Sequence, residues 1–146
     1  MVDANEKKVV LFLCTGNSCR SQMAEAYLSL IGRNKYKVLS AGLEPKGVHP
    51  IAVKVMKEDG LDISNNESTD LKEYLGHTHI DTVITVCSNA DQRCPHVWPG
   101  LSERLHWPFE DPAAFEGSEE ETLEKFREIR DQIRGQISEW ISEGAA

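Results

Sequence analysis

The chain has 146 residues, 40% hydrophobic and 27% charged, which predicts one soluble globular domain over residues 1–146 and excludes a disordered chain. Its longest unbroken apolar run, Val9 to Cys14, is too short to span a bilayer or to form the core of a secretion signal. We therefore expect a cytoplasmic protein with no membrane partner. The net charge of −8 lies mostly in residues 110–146, which hold 11 acids and 4 bases. This charge excludes general nucleic-acid binding but allows a local site for a small anion.

Apolar runs alternate with amphipathic segments along the chain. The predicted strands are residues 8–14, 35–41, 80–87 and 105–109. The predicted helices are residues 20–31, 50–59 and 119–141, with a helical turn at 88–94 and a short helix after Thr69. This alternation predicts an α/β fold, a three-layer sandwich with a four-stranded parallel sheet. Ligands of such sheets bind at the carboxyl ends of the strands, where Cys14 and Cys87 are both predicted to lie.

The segment from Cys14 to Ser21, CTGNSCRS, joins the first strand to the first helix. Backbone amides of such a loop can converge on an anion, and the helix N-terminus adds positive charge. Arg20 can bind two oxygens of a tetrahedral oxyanion through its planar guanidinium. The residues predicted to bind the oxyanion are Thr15, Gly16, Asn17, Ser18, Cys19 and Arg20.

The same positive field favours a thiolate at Cys14, which makes this residue a candidate nucleophile at neutral pH. Ser21 is placed to donate a hydrogen bond to that sulfur. The alternative is a buried cysteine that ends a core strand beside an exposed arginine. The strand before the motif, the glycine within it and the helix after it favour the catalytic interpretation.

Residues 14–25, CTGNSCRSQMAE, resemble the phosphate-binding loop of the low-molecular-weight tyrosine phosphatase superfamily. The QMAE at its end resembles the arsenate reductase branch. The resemblance continues through residues 40–50 (SAGLEPKGVHP), 61–64 (LDIS), the Cys87 segment and 107–112, so it covers nearly the whole chain. It implies reduction of arsenate to arsenite for arsenic detoxification, with phosphate and sulfate as competing oxyanions.

The resemblance to the thioredoxin-coupled members of that branch implies a relay of three cysteines. Cys14 attacks arsenate, and Cys87 then attacks Cys14, which releases arsenite and leaves a Cys14–Cys87 disulfide. Cys94 attacks Cys87 in turn, and thioredoxin reduces the resulting Cys87–Cys94 disulfide. Asp111 matches the Asp-Pro of the family's acid loop, which implies that it protonates the departing oxygen.

The spacing of Cys87 and Cys94 makes an independent prediction. Residues seven apart on a helix are about 10.5 Å apart along its axis. A disulfide tolerates only ~4.4–6.8 Å between Cα atoms. A helical segment 88–94 must therefore unwind when this pair is oxidised.

Several alternatives remain open at this level. Cys87, Cys94 and His96 could be zinc ligands, although their spacing is unusual for a structural zinc site. The runner-up enzyme is a low-molecular-weight phosphotyrosine phosphatase with a phosphocysteine intermediate, which needs only one cysteine. An oxyanion or metal sensor would bind without turnover. Glutaredoxin or mycothiol could replace thioredoxin as the electron donor.

No tightly bound cofactor is expected, and we expect a monomer. By resemblance, a candidate potassium site consists of Asn17, Glu25, Ser40 and Asp70, whose oxygen atoms suit a hard cation. The alternative role of these four residues is to brace the loop by ordinary hydrogen bonds. Cys19 is expected to pack at the start of the helix, with a backup pairing to Cys14 under oxidation.

Overall fold

The computed structural model describes residues 7–95, 98 and 100–144. It contains one parallel sheet with the strand order β2-β1-β3-β4. The strands are β1 (Lys8–Cys14), β2 (Tyr36–Gly42), β3 (Thr82–Thr85) and β4 (Glu103–His106). The predicted four-stranded parallel sheet is therefore confirmed.

Both faces of the central strand β1 are covered. Its residues Val10 to Cys14 are each 0–2% exposed, although successive side chains of a strand point to opposite faces of the sheet. This continuous burial explains why the strand reads as an unbroken apolar run. Cys14 is the last residue of β1, and Cys87 follows β3 by two residues. The two thiols therefore meet at the carboxyl edge of the sheet, as expected.

Two strands differ from their predicted bounds by more than one residue. β3 is shorter than predicted because the apolar run continues past the regular ladder, where Val86 still donates its amide to Leu13 O at 3.0 Å. β4 begins earlier and ends before Trp107. Pro108 has no amide hydrogen to donate, so a strand running to Phe109 is disfavoured.

Four α-helices and two 3-10 turns complete the fold. The helices are α1 (Arg20–Ile31), α2 (Pro50–Glu58), α3 (Ser88–Arg93) and α4 (Glu119–Ser142), and the 3-10 turns are Leu71–Glu73 and Pro112–Ala114. Helix α1 has the predicted bounds, and the bounds of α2, α3 and α4 agree with the prediction to within one residue. The turn at Pro112–Ala114 was not predicted. α4 packs against α1 and α2, and α3 contacts β1 and β3.

The long helix α4 closes one side of the core. It begins with a capping box in which Ser118 and Glu121 each accept the other's backbone amide. Its apolar stripe is buried, and Trp140 stacks on Tyr36 of β2 with a ring separation of 5.4 Å. Among the described residues, no helix has both the length and the apolar character that crossing a membrane requires.

Candidate active site

A buried asparagine shapes the loop between β1 and α1. Asn17 has φ +49°, a left-handed conformation that asparagine tolerates better than most residues. Its Nδ2 donates to Ser21 Oγ at 2.7 Å and to Ser40 Oγ at 3.0 Å. Its Oδ1 accepts from the Thr69 amide at 2.9 Å. This network supports the loop from the protein interior.

A close approach by Gly42 supports the same loop. A Cβ atom at this position would lie 2.8 Å from Thr15 O and 2.9 Å from the Asn17 amide nitrogen. Both neighbours are backbone atoms, which cannot move without distorting the loop. Glycine is therefore required where β2 passes beneath the anion-binding loop.

The amides of this loop are available to a ligand. The Asn17 amide donates to the Cys14 sulfur. Within the described part of the chain, the amides of Gly16, Ser18 and Cys19 donate to no protein acceptor. The loop borders a cavity of about 410 Å³, which Cys14 also lines. Amides in this arrangement form a binding site for an oxyanion.

The guanidinium of Arg20 lies in the same cavity with one donor free. Its Nη1 donates to Phe109 O at 3.0 Å, and its Nη2 lies 3.7 Å from Asp111 Oδ2. Its Nε is buried and has no partner among the residues that the structure describes. A buried unpaired donor is costly, and an oxyanion in the cavity would provide the missing acceptor.

Asp111 stands at the mouth of the cavity. Its Oδ1 accepts from the Ala113 amide at 3.0 Å, which starts the turn Pro112–Ala114. Its side chain is 42% exposed, so it can exchange protons with solvent. The structure thus places the candidate acid beside Arg20 and in one cavity with Cys14.

The sulfurs of Cys14 and Cys87 are hydrogen-bonded to each other. Asn89 Nδ2 donates to Thr15 Oγ1 at 2.8 Å, and the same hydroxyl lies 3.4 Å from the Cys87 sulfur. The Ala90 amide donates to this sulfur at 3.4 Å. These contacts, first the one with the Cys14 thiol, lower the pKa of Cys87 below its ordinary value.

The two thiols therefore compete for one proton. The pKa of Cys14 is raised, first by the hydrogen bond that it donates to Cys87 and then by burial, against the lowering effect of Arg20. The expected thiolate at Cys14 stays a prediction: Arg20 and the Asn17 amide lower the pKa of Cys14, while Cys87 competes for the proton. Ser21 corrects another expectation: its described hydrogen bond comes from Asn17, and it does not donate to Cys14.

The other two cysteines are buried thiols. Cys94 ends α3 and is 2% exposed, and burial raises its pKa. Six residues of helix separate it from Cys87, so the two are not bonded in this reduced state. Burial raises the pKa of Cys19 to about 11. Cys19 therefore contributes its backbone to the loop while its side chain packs.

The predicted cation site is brought together only in part. Ser40 Oγ accepts from Asn17 and donates to Glu25 Oε1 at 2.6 Å, which joins three of the four residues in one chain. Asp70 does not join them, because its carboxylate caps the turn Leu71–Glu73 by accepting from Lys72 N at 2.9 Å.

The zinc alternative gains no support. His96, the third candidate ligand, lies outside the described residues. Among the residues that are described, no group of three or more His, Cys, Asp or Glu side chains could hold a metal ion.

Some residues at the site were not predicted from the sequence. Lys46 and His49 also line the cavity, and the Lys46 amide donates to Gly16 O at 3.0 Å. His49 also caps α2 by accepting the Ile51 amide at Nδ1. The only signal for either residue is its place within the block 40–50 that carries the family resemblance.

Comparison with known proteins places this geometry in context. The family model described as low molecular weight phosphotyrosine protein phosphatase matches residues 9–145. The arsenate reductase of Bacillus subtilis (strain 168) is 44% identical over 139 residues, which cover 95% of this chain and 99% of that protein.

Two solved structures share the fold. An arsenate reductase in the phosphate binding state has a TM-score of 0.78 at 35% identity, over 93% of this chain and 98% of that one. A thioredoxin-dependent arsenate reductase of Corynebacterium glutamicum has a TM-score of 0.73 at 30% identity, over 97% of this chain and 63% of that one. The chain therefore belongs to the low molecular weight phosphotyrosine protein phosphatase family, and within it to the arsenate reductases.

Proposed function

We propose that this protein reduces arsenate to arsenite by a thiol relay that thioredoxin regenerates. The observation that carries the proposal is the hydrogen-bonded pair of Cys14 and Cys87 beside an oxyanion loop with free amides. Phosphoester hydrolysis needs one thiol, whereas a two-electron reduction needs a second sulfur within bonding reach. The similarity to a thioredoxin-dependent arsenate reductase supports thioredoxin as the electron donor.

The first step is attack of the Cys14 sulfur on arsenic. The Cys87 thiolate accepts the Cys14 proton along the hydrogen bond that joins them, so Cys14 attacks as a thiolate. The loop amides and Arg20 stabilise the charge on the arsenate oxygens. Asp111 donates a proton to the departing oxygen, which leaves as water while a sulfur–arsenic bond forms.

The second step reduces arsenic. Cys87 gives its proton to an oxygen of the arsenic adduct, and its thiolate attacks the Cys14 sulfur. A sulfur–sulfur bond forms, the sulfur–arsenic bond breaks, and its electron pair stays on arsenic, which becomes arsenite. The two electrons come from the two thiolates. Thr15 and Ala90 donate to the Cys87 sulfur and hold it as a thiolate for this attack.

The third step moves the disulfide to where a protein reductant can reach it. The Cys94 thiolate attacks Cys87, which releases the Cys14 thiolate and forms a Cys87–Cys94 disulfide. The dithiol of thioredoxin then reduces that bond. Cys94 is buried at the far end of α3, so this step requires α3 to rearrange.

A second candidate function, phosphatase activity, has its own observation. Cys14, Arg20 and Asp111 line one cavity and form a complete set of nucleophile, oxyanion binder and acid. We propose weak hydrolysis of aryl phosphates as a side activity of this site, independent of Cys87 and Cys94.

The deciding experiment follows NADPH oxidation in the presence of arsenate, thioredoxin and thioredoxin reductase. The wild-type protein should consume NADPH in proportion to arsenate, and Cys14→Ser should abolish this activity and aryl phosphate hydrolysis together. Cys87→Ser should abolish arsenate-dependent NADPH oxidation and leave aryl phosphate hydrolysis intact. Sustained arsenate turnover in Cys87→Ser, with a normal unfolding curve, would show that the relay is wrong.

A monovalent cation, potassium, is also part of the proposal. Glu25 and Ser40 fit such an ion, because burial raises the pKa of the Glu25 carboxyl and Ser40 is its sole described hydrogen-bond donor. The ion would neutralise this carboxylate and support Asn17 beneath the loop. Asp70 is not joined to these residues by a described hydrogen bond, and its Oδ1 accepts from Lys72 N at the turn that it caps.

The proposal extends to the setting of the reaction. The relay requires its three cysteines to return to free thiols between turnovers, which fits the cytoplasm. Every described residue of the site comes from one chain, so we propose a monomer as the active form. Phosphate and sulfate, which share the tetrahedral shape of arsenate, should compete for the loop.

A further inference from the structure

The segment that carries Cys87 and Cys94 is fastened to β4 by one arginine. Arg104 Nη2 donates to Asp91 O at 2.8 Å, and its Nη1 donates to Pro95 O at 3.1 Å. One guanidinium thus spans two carbonyls, one within α3 and one directly after Cys94. The Arg104 side chain is only 28% exposed, so water competes only weakly for these hydrogen bonds.

The carboxylate of Asp91 adds a second connection to the same strand. Thr85 Oγ1 donates to Asp91 Oδ1 at 3.0 Å, and Arg104 Nη2 lies 3.9 Å from that oxygen. His106 Nδ1 lies 2.8 Å from Thr85 Oγ1. The whole cluster fixes α3 in its helical form.

This arrangement is incompatible with a Cys87–Cys94 disulfide. The two cysteines flank six helical residues, whose combined axial rise is about 9 Å at ~1.5 Å per residue. This exceeds the ~4.4–6.8 Å between Cα atoms that a disulfide allows. Cys87 is anchored by its neighbour Val86, whose amide bonds to Leu13 O. The Cys94 end must therefore move by several ångströms, and Pro95 O moves away from Arg104 with it.

We propose that Arg104 is a positioning residue for the redox relay, a latch that stabilises α3 in the dithiol state and is released in the disulfide state. The inference rests on the proposed function, because it concerns the disulfide that the relay forms. Bonds present only in the dithiol state favour the reduced protein, so the latch makes the Cys87–Cys94 disulfide a stronger oxidant. It thereby favours electron transfer from thioredoxin into the protein.

The test compares Arg104→Met, Arg104→Lys and Arg134→Met with wild type. Met keeps the aliphatic stem but loses both bonds, and Lys keeps the charge but cannot span both carbonyls. Arg134→Met is the matched control, because Arg134 is an exposed arginine of α4 that pairs with Asp59, and removing it leaves the residues around α3 unchanged. Full-length protein is equilibrated in dithiothreitol redox buffers without arsenate, and the Cys87–Cys94 disulfide is quantified by peptide mapping.

An equilibrium measurement is needed because Arg104 also lowers the pKa of Cys94, so its loss would alter the rate of attack for a separate reason. We expect Arg104→Met to favour the disulfide by roughly ten- to a hundredfold, which is a midpoint potential about 30–60 mV more negative. Arg104→Lys should shift in the same direction, and Arg134→Met should match wild type. Amide hydrogen exchange across residues 88–94 of the reduced protein should rise about tenfold or more in Arg104→Met.

The outcomes separate the latch from the relay. If wild type forms the Cys87–Cys94 disulfide and Arg104→Met shifts neither its potential nor the amide exchange, the latch is wrong and the relay stands. If the Lys variant behaves as wild type, the positive charge rather than the pair of hydrogen bonds is responsible, and the latch as proposed is also wrong. If wild type forms no Cys87–Cys94 disulfide at any potential, the relay is overturned and the latch with it.

Discussion

The chemistry of the site depends on where single hydrogen atoms lie. Asn89 Nδ2 donates to Thr15 Oγ1, and the Thr15 hydroxyl lies 3.4 Å from the Cys87 sulfur. The Ala90 amide donates to the same sulfur and lowers the pKa of Cys87. We expect Cys14, the nucleophile of the first step, to keep its proton until it attacks.

The pH dependence of thiol reactivity tests this assignment. The pKa of Cys87 is lowered below the ordinary value of a thiol, first by the Cys14 thiol, so its thiolate is present above the lowered pKa and is lost as pH falls through it. Alkylation of the reduced protein by iodoacetamide, mapped by peptide analysis, should modify Cys87 with a midpoint well below the ordinary range of a thiol. Asn89→Ala should move the midpoint upward. Modification of Cys14 with the low midpoint, and of Cys87 only near pH 9, would reverse the assignment.

The position of Asp111 makes a second prediction at this scale. Asp111→Asn keeps the shape and the acceptor for the Ala113 amide, but it cannot deliver a proton to the departing oxygen. We expect the first step to slow by ~10²–10⁴-fold, the usual range for a positioned acid. Single-turnover rates of arsenate adduct formation measure this step directly. A rate within a few-fold of wild type, at equal stability, would remove Asp111 from the mechanism.

The element on which the relay depends is the short helix α3. It places Cys87 and Cys94 at opposite ends, where its N-terminal amide stabilises the first as a thiolate and its packing buries the second. Two side-chain contacts also join it to the loops of the site: Asn89 to Thr15, and Arg93 to Glu44 at 3.0 Å. The arrangement keeps the third thiol away until the first disulfide has formed.

Replacing the third thiol should therefore stop the relay after one cycle. Cys94→Ser should release about one arsenite per protein and then accumulate the Cys14–Cys87 disulfide, whose sulfurs are buried from a protein reductant. Quenched-flow measurement of arsenite, with peptide mapping of the disulfide, gives both quantities. Its aryl phosphatase activity should equal that of wild type, which serves as the control for folding. Repeated thioredoxin-driven turnover in this variant would rule out a role for Cys94.

Local features of the site were predictable from the sequence, and long-range ones were not. The bounds of α1 and the loop before it follow from a strand, a short polar segment and an apolar stripe, all encoded within residues 8–31. The predicted hydrogen bond from Ser21 to Cys14 is absent among the described contacts; Ser21 Oγ instead accepts from Asn17, a partner that side-chain packing decides. Arg104 carried no signal, since its partners are two backbone carbonyls, which any sequence supplies. The predicted bounds of the edge strand β4 were wrong for a related reason: its four residues are of mixed polarity and show little hydrophobic periodicity.

The charge of the whole molecule works against its substrate. A net charge of −8 repels an arsenate dianion and attracts cations. Part of this charge is neutralised internally, because Arg127 and Arg130 of α4 both pair with Glu58 of α2. The site opposes the remaining field locally with Arg20 and the loop amides. The buried carboxylate of Glu25, by contrast, has no cation among the described residues and is the group most suited to recruit one.

Cation binding should therefore stabilise the whole fold in an ion-specific way. An ion that binds only the native state adds about 1.4 kcal/mol to the free energy of unfolding at a concentration tenfold above its Kd. We expect unfolding midpoints to be higher in potassium chloride than in sodium chloride at the same ionic strength, which holds general screening constant. Glu25→Gln should lose the difference because it removes the buried charge. Asp70→Asn should keep it, because that carboxylate faces Lys72 N at a separate turn. Equal midpoints in both salts for wild type, or loss of the difference only in Asp70→Asn, would leave Asn17, Ser40 and Glu25 as a purely hydrogen-bonded support for the loop.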